Sequence, residues 1–261
     1  MKWSIIGSGG FVASRHFKAI KEIGDKVILT CDIDETKLAD FRSYEVMMQS
    51  EKWKEVGGVA ICAPNNWHYQ MCEAIKDKIV ICEKPLTLSS KEALKLPDNV
   101  FTVLQLRYHP EVIRLKNELK GKHKVDLVVK VKRDKSYWNS WKGQKVLSGG
   151  IIFNLGIHYF DLLIYLFGDD YKVYKHSQSD NKAKGRIKFK NADVNYYLEI
   201  MPNDNGQDRY LEIDGEKISL SKQDNLSFED LHTKVYQDLL KGGGVQPKEA
   251  VKSIKLVEKL K

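Results

Sequence analysis

The chain has 261 residues, 42% of them hydrophobic, and a formal net charge of +8. This length allows one large domain or two small ones, each able to bury a core. Lysine is spread along the whole chain and interleaved with acids, which argues against a nucleic-acid or membrane patch. The positive charge instead indicates a solvated surface that favours anionic small molecules.

Nothing in the sequence predicts a targeting or membrane segment. Met1-Lys2 runs directly into a short strand and a glycine-rich turn, without the apolar region of a signal peptide. The longest apolar stretch, Ile151–Phe167, contains polar residues and is expected to fall short of a bilayer span. None of the four cysteines forms a CxxC pair, so we expect no metal site and buried, reduced thiols in a cytoplasmic protein.

The first third of the chain alternates short apolar runs with helical periodicity. Helices are predicted through Phe17 and Ile20, from His68 to Lys76, and after Ser89 or Ser90. The runs predicted as strands are KWSII, KVILTCDID, GVAICAPN, IVICEKP and NVFTVLQLR. Strands that alternate with helices predict an α/β domain with a doubly wound parallel sheet, and continuous apolar runs indicate a sheet covered on both faces.

The pattern changes after Arg107. Strands are predicted at VDLVVKVKR, GRIKFK, DVNYYLEIM, RYLEIDG and EKISL, with EIDGEKISL as a hairpin through its Asp-Gly turn. Helices are predicted at 228–240 and 247–260, on either side of three glycines. We therefore expect a Rossmann domain at 1–107 and an α+β domain with an open, mostly antiparallel sheet at 108–261, whose terminal helices could also pack on the first domain.

A glycine-rich turn follows the first strand and opens a helix. Its residues are Gly7-Ser8-Gly9-Gly10-Phe11-Val12. Such a turn lets backbone N–H groups approach a pyrophosphate at the positive end of the helix. Asp32 ends the next strand, where its carboxylate can bind the adenosine ribose. The alternative is an ordinary turn followed by a solvated acid, but the ordered series of strand, turn, helix, strand and acid favours a dinucleotide.

Acidic residues crowd the position that a 2′-phosphate would take. Asp32, Asp34 and Glu35 lie there, and the sequence places no arginine nearby. Like-charge repulsion therefore predicts NAD in preference to NADP.

Two further segments carry candidate catalytic side chains. Lys84, in a Glu-Lys-Pro triplet, ends a strand at the edge where open α/β sheets bind ligands, although a plain surface lysine is the alternative. In GGIIFNLGIHYFDLLIYLFG, helical spacing puts Asn154, His158 and Asp161 in one narrow stripe. His158 is able to exchange a proton near neutral pH, or it is a core histidine paired with Asp161.

The order of these motifs resembles the Gfo/Idh/MocA family of sugar and cyclitol dehydrogenases. The chain is more similar to one branch, the UDP-N-acetyl-2-amino-2-deoxyglucuronate 3-dehydrogenases of bacterial O-antigen synthesis. The segments that carry this likeness are ASRHFKAIK, ICAPNNWHY, ICEKPL, TVLQLRYHP, SYWNSWKG, SGGIIFNLGIHYFDLL and LHTKVYQDLLKGGG.

The resemblance implies roles for individual residues. Lys84 and His158 become the catalytic pair, and both also contact substrate. Arg107, Tyr137 and Asn154 become candidates for the sugar-nucleotide side. Residues implied to bind NAD are Gly7, Ser8, Gly9, Gly10, Phe11, Val12, Asp32, Ile33, Ala63, Pro64, Asn65, His68, Glu83, Lys84, Trp141 and Lys142.

The expected activity is NAD-dependent oxidation of a ring hydroxyl, at C3′, of a UDP-linked N-acetylamino sugar uronic acid. The resemblance also implies a homodimer or homotetramer formed through the C-terminal sheet and an aminotransferase that consumes the ketone. Three alternatives stay open: another sugar or cyclitol dehydrogenase of the family, a glycosidase that uses NAD transiently, and a non-enzymatic NAD or sugar-nucleotide sensor.

Overall fold

The computed structural model describes residues 1–202, 206–220 and 230–261, which form two compact units. The first unit contains Met1–Thr87, Lys91–Gln105 and the described part of Phe228–Val251. The second contains Leu88–Ser90, the described part of Leu106–Ser227, and Lys252–Lys261.

Each unit is built on one sheet. The first has five parallel strands in the order β2-β1-β3-β4-β5, and the second has six strands in the order β11-β10-β6-β9-β8-β7. The strands are β1 Lys2–Ile6, β2 Lys26–Cys31, β3 Gly58–Ile61, β4 Ile79–Cys82, β5 Val100–Thr102, β6 His123–Lys132, β7 Tyr171–Gln178, β8 Lys182–Phe189, β9 Ala192–Met201, β10 Asp208–Ile213 and β11 Glu216–Ser219.

The helices fall between and around these strands. A π-helical turn at Ile152–Gly156 directly precedes the longest apolar helix. The α-helices are α1 Ala13–Glu22, α2 Tyr44–Met48, α3 His68–Ala74, α4 Ser90–Ala93, α5 Pro110–Glu118, α6 Lys135–Asn139, α7 Lys145–Ser148, α8 Ile157–Phe167, α9 Asp230–Leu240 and α10 Pro247–Lys259.

The first sheet is covered on both faces. Every residue of β3 is buried, as are four of the five residues of β1. A side chain from each face must therefore pack against helices, and this is why the strands read as continuous apolar runs. The prediction of a doubly wound parallel sheet is confirmed.

The second sheet buries one face against α8. Along β9, alternate residues from Ala192 to Ile200 are buried, as the period of two requires. The Phe160 ring packs edge-on against Tyr196 at 5.1 Å between centroids. At Gly156 a Cβ atom would lie 3.1 Å from Leu198 Cδ1, so glycine lets the helix approach the sheet closely.

The predicted open, mostly antiparallel sheet is confirmed, with a parallel pair of β6 and β9 at its centre. The predicted hairpin is also present, joining β10 to β11. Its turn residues Asp214 and Gly215 have φ values of 52° and 91°, which suits the Asp-Gly pair.

Several elements were not predicted, including the short helices α2, α6 and α7 and the helix α5. For two other unpredicted features the reason is clear. The edge strand β7 is mostly exposed and charged, so it lacks the apolar alternation that identifies a strand. The π-helical turn at Ile152–Gly156 has the same apolar composition as an α-helix. Of the predicted helix 228–240, residues 228 and 229 lie outside the described residues.

One segment, Lys145–Phe167, is long and apolar enough to cross a membrane by length and composition alone. This is longer than the 151–167 stretch considered from sequence. Within the protein, 72% of its most apolar window is buried. A buried core helix meets the same criteria, so the segment is weak evidence for a membrane span.

Candidate functional site

The first unit begins with the glycine-rich turn between β1 and α1. Gly7 has a φ of 77°, and a Cβ there would lie 2.7 Å from the carbonyl carbon of Cys62. Its N–H donates to Cys31 O at 2.8 Å, which holds the turn against the end of β2. Only glycine permits both this backbone conformation and this close approach.

The turn and the predicted acid are joined directly. Asp32 Oδ2 accepts a hydrogen bond from Gly9 N–H at 2.7 Å, and Oδ1 accepts one from Asp34 N–H at 2.9 Å. Ser8 Oγ is buried and has no hydrogen-bond partner among the described residues. A glycine turn that excludes side chains, an orphaned hydroxyl and an acid at the strand end fit the pyrophosphate and ribose of a dinucleotide.

Contrary to the prediction from sequence, an arginine lies close to Asp32. Arg42 Nη1 donates to Asp32 O at 3.0 Å and to Asp34 O at 3.1 Å, and Nη2 donates to Lys37 O at 3.0 Å. The loop after β2 folds back and brings this guanidinium to three main-chain carbonyls. The carboxylate of Asp32 is thus the acidic group at the turn, and the guanidinium is engaged by the backbone.

His68 connects the two loops that follow β3 and β4. Its ring is fully buried, with Nδ1 2.7 Å from Pro85 O and Nε2 2.9 Å from Ala63 O. Burial lowers the pKa of His68, against the opposing effect of the two carbonyls. The side chain fixes both loops in place, so we expect it to act on a nucleotide through their position. Direct contact remains a prediction.

Glu83 lies in a buried cluster within the first unit that the sequence did not predict. Its Oε1 is 3.1 Å from both His16 Nε2 and His232 Nε2, and Oε2 accepts a 3.3 Å hydrogen bond from Lys84 N–H. His16 Nδ1 is 2.8 Å from the Tyr236 hydroxyl. The Glu83 carboxylate therefore fixes the backbone that carries Lys84.

The protonation of this cluster follows from its hydrogen bonds. Burial alone would raise the pKa of Glu83, but the bonds from His16 and His232 hold it well below its usual range. Burial lowers the pKa of His16, which outweighs the effect of Glu83. An ionised carboxylate that accepts from N–H groups, with Tyr236 donating to His16 Nδ1, satisfies the geometry.

His16, Glu83 and His232 are also the one group in the described part of the chain whose possible metal-ligand atoms lie close together, within 4.8 Å of one another. No metal site was expected from the sequence. The hydrogen bonds among His16, Glu83 and His232 account for the convergence without an ion.

In the second unit, the apolar helix carries two accessible polar side chains. From Ile151 to Ile164, only Asn154 and His158 are not buried. Asp161, predicted to share their stripe, is only 1% exposed and contacts other residues of the second unit. The predicted stripe of three is thus reduced to Asn154 and His158.

Asp161 is held by residues from distant segments of the second unit. Its Oδ2 accepts from Arg107 Nε at 2.8 Å, and Oδ1 accepts from Arg107 Nη2 at 2.6 Å and from Ser253 Oγ. Both partners of this ion pair are buried. The alternative that Asp161 serves as the acceptor for His158 is therefore not favoured, and the guanidinium of Arg107 already has a carboxylate. The role of Arg107 toward substrate remains a prediction.

The aromatic segment after β6 lies beside Asn154. Asn154 Nδ2 donates to the Tyr137 hydroxyl at 2.8 Å, which brings together two of the predicted substrate residues. Burial raises the pKa of Tyr137, so the phenol is neutral. Trp141 and Lys142 are half-buried, with the Lys142 ammonium 5.9 Å from the Trp141 ring centroid. Their proximity to a nicotinamide remains a prediction.

Two family models match the chain. One, for the NAD-binding Rossmann fold of the Gfo/Idh/MocA oxidoreductases, matches residues 1–100. The other, for the C-terminal alpha/beta domain of the same family, matches residues 120–253. Together they cover both units.

Solved structures of dehydrogenases show the same fold. The WlbA (WbpB) dehydrogenase of Thermus thermophilus in complex with NAD and UDP-GlcNAcA is 31% identical, with a TM-score of 0.86 over 98% of this chain and 93% of that one. Its complex with NAD and α-ketoglutarate gives 29% identity and a TM-score of 0.88 over 100% and 94%. The Bordetella pertussis WlbA dehydrogenase, 18% identical with a TM-score of 0.80 over 100% and 95%, shows the fold.

One curated relative is a dehydrogenase of a sugar phosphate. The glucose-6-phosphate 3-dehydrogenase of Bacillus subtilis strain 168 is 29% identical over 195 residues, 65% of this chain. The match spans 55% of that relative, so the chain aligns with about half of its length. With both family models matched and NAD confirmed as the cofactor of its Rossmann domain, the chain belongs to the Gfo/Idh/MocA family of oxidoreductases.

Proposed function

We propose that the protein oxidises the C3′ hydroxyl of a UDP-linked N-acetylamino sugar uronic acid to a ketone. The observation that carries this proposal is the pair of accessible polar side chains, Asn154 and His158, on an otherwise buried helix. The 31% identity to the Thermus thermophilus dehydrogenase crystallised with NAD and UDP-GlcNAcA supports the substrate class. The net charge of +8 suits a ligand with two phosphates and a carboxylate.

The chemistry divides between two side chains. When bound, NAD supplies the acceptor for the hydride that leaves the sugar carbon. His158 takes the hydroxyl proton as the general base, a role that a partly exposed imidazole can fill near neutral pH. Lys84 donates a hydrogen bond to the same oxygen and stabilises its developing negative charge. Glu83 keeps the Lys84 backbone in position through its 3.3 Å hydrogen bond.

The assignment is tested by incubating the protein with NAD and a panel of sugars, while NADH absorbance is recorded. The panel contains UDP-GlcNAcA, UDP-GlcNAc, UDP-glucuronate, glucose 6-phosphate and myo-inositol. We expect UDP-GlcNAcA to be oxidised, with a product lighter by two hydrogens in mass spectrometry. UDP-GlcNAc should be a far poorer substrate, because it lacks the carboxylate that a protein cation would bind. Leaving that cation unpaired should cost on the order of 1–3 kcal/mol of transition-state binding.

A sugar phosphate is the second candidate substrate. The likeness to the Bacillus subtilis glucose-6-phosphate 3-dehydrogenase favours it, and both candidates require oxidation of a ring hydroxyl. Faster NADH formation from glucose 6-phosphate than from UDP-GlcNAcA would replace the proposed substrate. Release of a free sugar without NADH accumulation would indicate a redox glycosidase instead.

The setting of the reaction is also proposed. We infer a cytoplasmic enzyme, supported by four buried cysteines that form no disulfide: Cys31, Cys62, Cys72 and Cys82. Its ketone would pass to an aminotransferase. We further propose a homodimer or homotetramer formed through the open face of the second sheet, which light scattering of the purified protein would test.

A further inference from the structure

Two arginines of the second unit point to the same face of its sheet. Arg209 on β10 pairs in register with Val129 on β6, and paired residues of antiparallel strands project from one face. Along β6, Val129 and Val131 are buried on the covered face of the sheet, and Arg133 follows two residues later on the same side. Both arginines are half-buried, at the end of the sheet where its covered face becomes accessible.

Arg133 is tied to the proposed substrate residues. Its Nη1 donates to Lys132 O at 2.7 Å, and its guanidinium carbon lies 5.8 Å from the Tyr137 ring centroid. The Tyr137 hydroxyl accepts from Asn154, one helical turn before His158. Tyr159, next to His158, is close enough for both arginines to act on its phenol electrostatically. This places the arginine pair beside the accessible part of the apolar helix.

Within the described residues, no acidic side chain is ion-paired with Arg133 or Arg209. Burial, together with the charge of Arg209, lowers the pKa of Arg133. The charge of Asp134 acts on Arg133, but the Asp134 carboxylate accepts from Ser136 N–H and Tyr137 N–H and so caps α6. Two neighbouring, half-buried cations repel each other, and an anion between them would relieve that repulsion.

We propose that Arg133 and Arg209 form an anion-binding subsite that holds a negatively charged group of the substrate. Guanidinium groups present paired donors that match the oxygens of a carboxylate or a phosphate. The group bound is either the uronate carboxylate or the diphosphate. The subsite rests on the proposed function and adds to it the residues that select an anionic sugar.

The test is calorimetric binding to the NAD-loaded protein and to its variants Arg133→Gln and Arg209→Gln. The ligands are UDP-GlcNAcA, UDP-GlcNAc and inorganic pyrophosphate. A matched control is Arg186→Gln, which removes an arginine from β8 of the same sheet that is exposed and paired with Asp193. Thermal melting of every variant, and Arg133→Lys as a charge-preserving variant, separates lost binding from lost folding.

Each glutamine variant should weaken an anionic ligand about 10- to 100-fold, with Arg133→Lys partly restoring affinity and Arg186→Gln unchanged. Weakening confined to UDP-GlcNAcA assigns the carboxylate, whereas equal weakening of both UDP-sugars assigns the diphosphate. Affinities within about twofold of the unmodified protein, in folded variants, would overturn the subsite.

Failure of the proposed function gives a different result. If no UDP-sugar binds or reduces NAD, the proposed substrate is wrong. Pyrophosphate binding then decides the subsite on its own. Loss of pyrophosphate binding in Arg133→Gln and Arg209→Gln, but not in Arg186→Gln, supports an anion site. Equal loss in all three variants contradicts it.

Discussion

Two buried carboxylates lie within three residues of the proposed catalytic side chains, and their partners differ in kind. In the first unit, Glu83 accepts from two histidines and adjoins Lys84. In the second unit, Asp161 is neutralised by two hydrogen bonds from Arg107 and is three residues from His158. Arginine keeps its charge at every accessible pH, whereas histidine does not.

The difference indicates two ways to stabilise a reactive side chain. Asp161 and Arg107 form a buried ion pair that ties α8 to distant segments, whereas His158 on the same helix is partly exposed. Glu83 keeps its negative charge because the hydrogen bonds from His16 and His232 hold its pKa well below its usual range, while burial lowers the pKa of His16. The Glu83 carboxylate is thus a buried negative charge directly before Lys84 in the chain.

The largest effect is expected in the first unit, at Lys84. Lys84→Met keeps most of the side-chain length and removes the charge, so hydride transfer should slow by roughly 10²–10⁴-fold. Stopped-flow measurement of NADH formation gives this rate. The matched control is Lys76→Met, an exposed lysine of the same unit that should leave the rate unchanged. An unimpaired Lys84→Met enzyme would remove Lys84 from the chemistry.

The corresponding change in the second unit acts on stability. Asp161→Asn removes the carboxylate that is ion-paired with the buried Arg107 guanidinium, which should lower the free energy of unfolding by about 3–5 kcal/mol. Denaturant titration measures this loss. Asp169→Asn, at an exposed position just after the same helix, should change it by less than about 0.5 kcal/mol. Equal stability of both variants would show that the ion pair contributes little.

The stability of the first unit is expected to depend on pH through its buried histidines and Glu83. His16 and His68 have pKa values lowered by burial. The unfolded chain takes up protons at these positions below about pH 6.5, whereas the folded chain resists them. The contribution of these two histidines to folding stability is therefore complete above that pH and is lost as the pH falls. Glu83, with its depressed pKa, loses its contribution only at more acidic pH.

Amide exchange of β1, measured at about pH 7.5 and about pH 5.5 and corrected for the intrinsic rate, should show lower protection at the lower pH. In His16→Asn the dependence should flatten, because one of the two fully buried histidines with a lowered pKa is gone. Unchanged protection in the unmodified protein would mean that the histidines are not buried in neutral form.

The smallest effect concerns cofactor choice at the turn of the first unit. Asp32→Ser combined with Ile33→Arg should shift the ratio of NAD to NADP affinity by about tenfold toward NADP, or about 1.4 kcal/mol. Fluorescence titration with both cofactors measures the ratio, and Ile33→Arg alone shows how much depends on Asp32. Binding of NADP by the unmodified protein at least as tight as that of NAD would contradict the role of Asp32.

The sequence predicts what is encoded locally. The glycine turn, the strand before it and Asp32 lie within about one βαβ unit, and the hairpin depends on adjacent Asp214 and Gly215. The buried clusters were not predictable in the same way. Glu83 is 67 residues from His16 and 149 from His232, and Asp161 is 92 from Ser253.

The arginines show the same limit. Arg133 and Arg209 are separated by 76 positions, and neither belongs to a motif that suggests a site. Only strand register brings them to one face. Arg42 was likewise missed beside Asp32, because a folded-back loop and not sequence spacing brings it there.

The central claim is that His158, and not the Asp161 pair, carries the proton in the reaction. It is tested most directly by measuring the single-turnover rate of hydride transfer and the melting temperature of His158→Asn on the same preparation. We predict a melting temperature close to that of the unmodified protein and a rate lower by roughly 10²–10⁴-fold. NAD affinity should be retained, because His158 is proposed to contact the sugar and not the nucleotide. A His158→Asn enzyme with an undiminished rate per folded molecule and a lowered melting temperature would make His158 a core residue and contradict the mechanism.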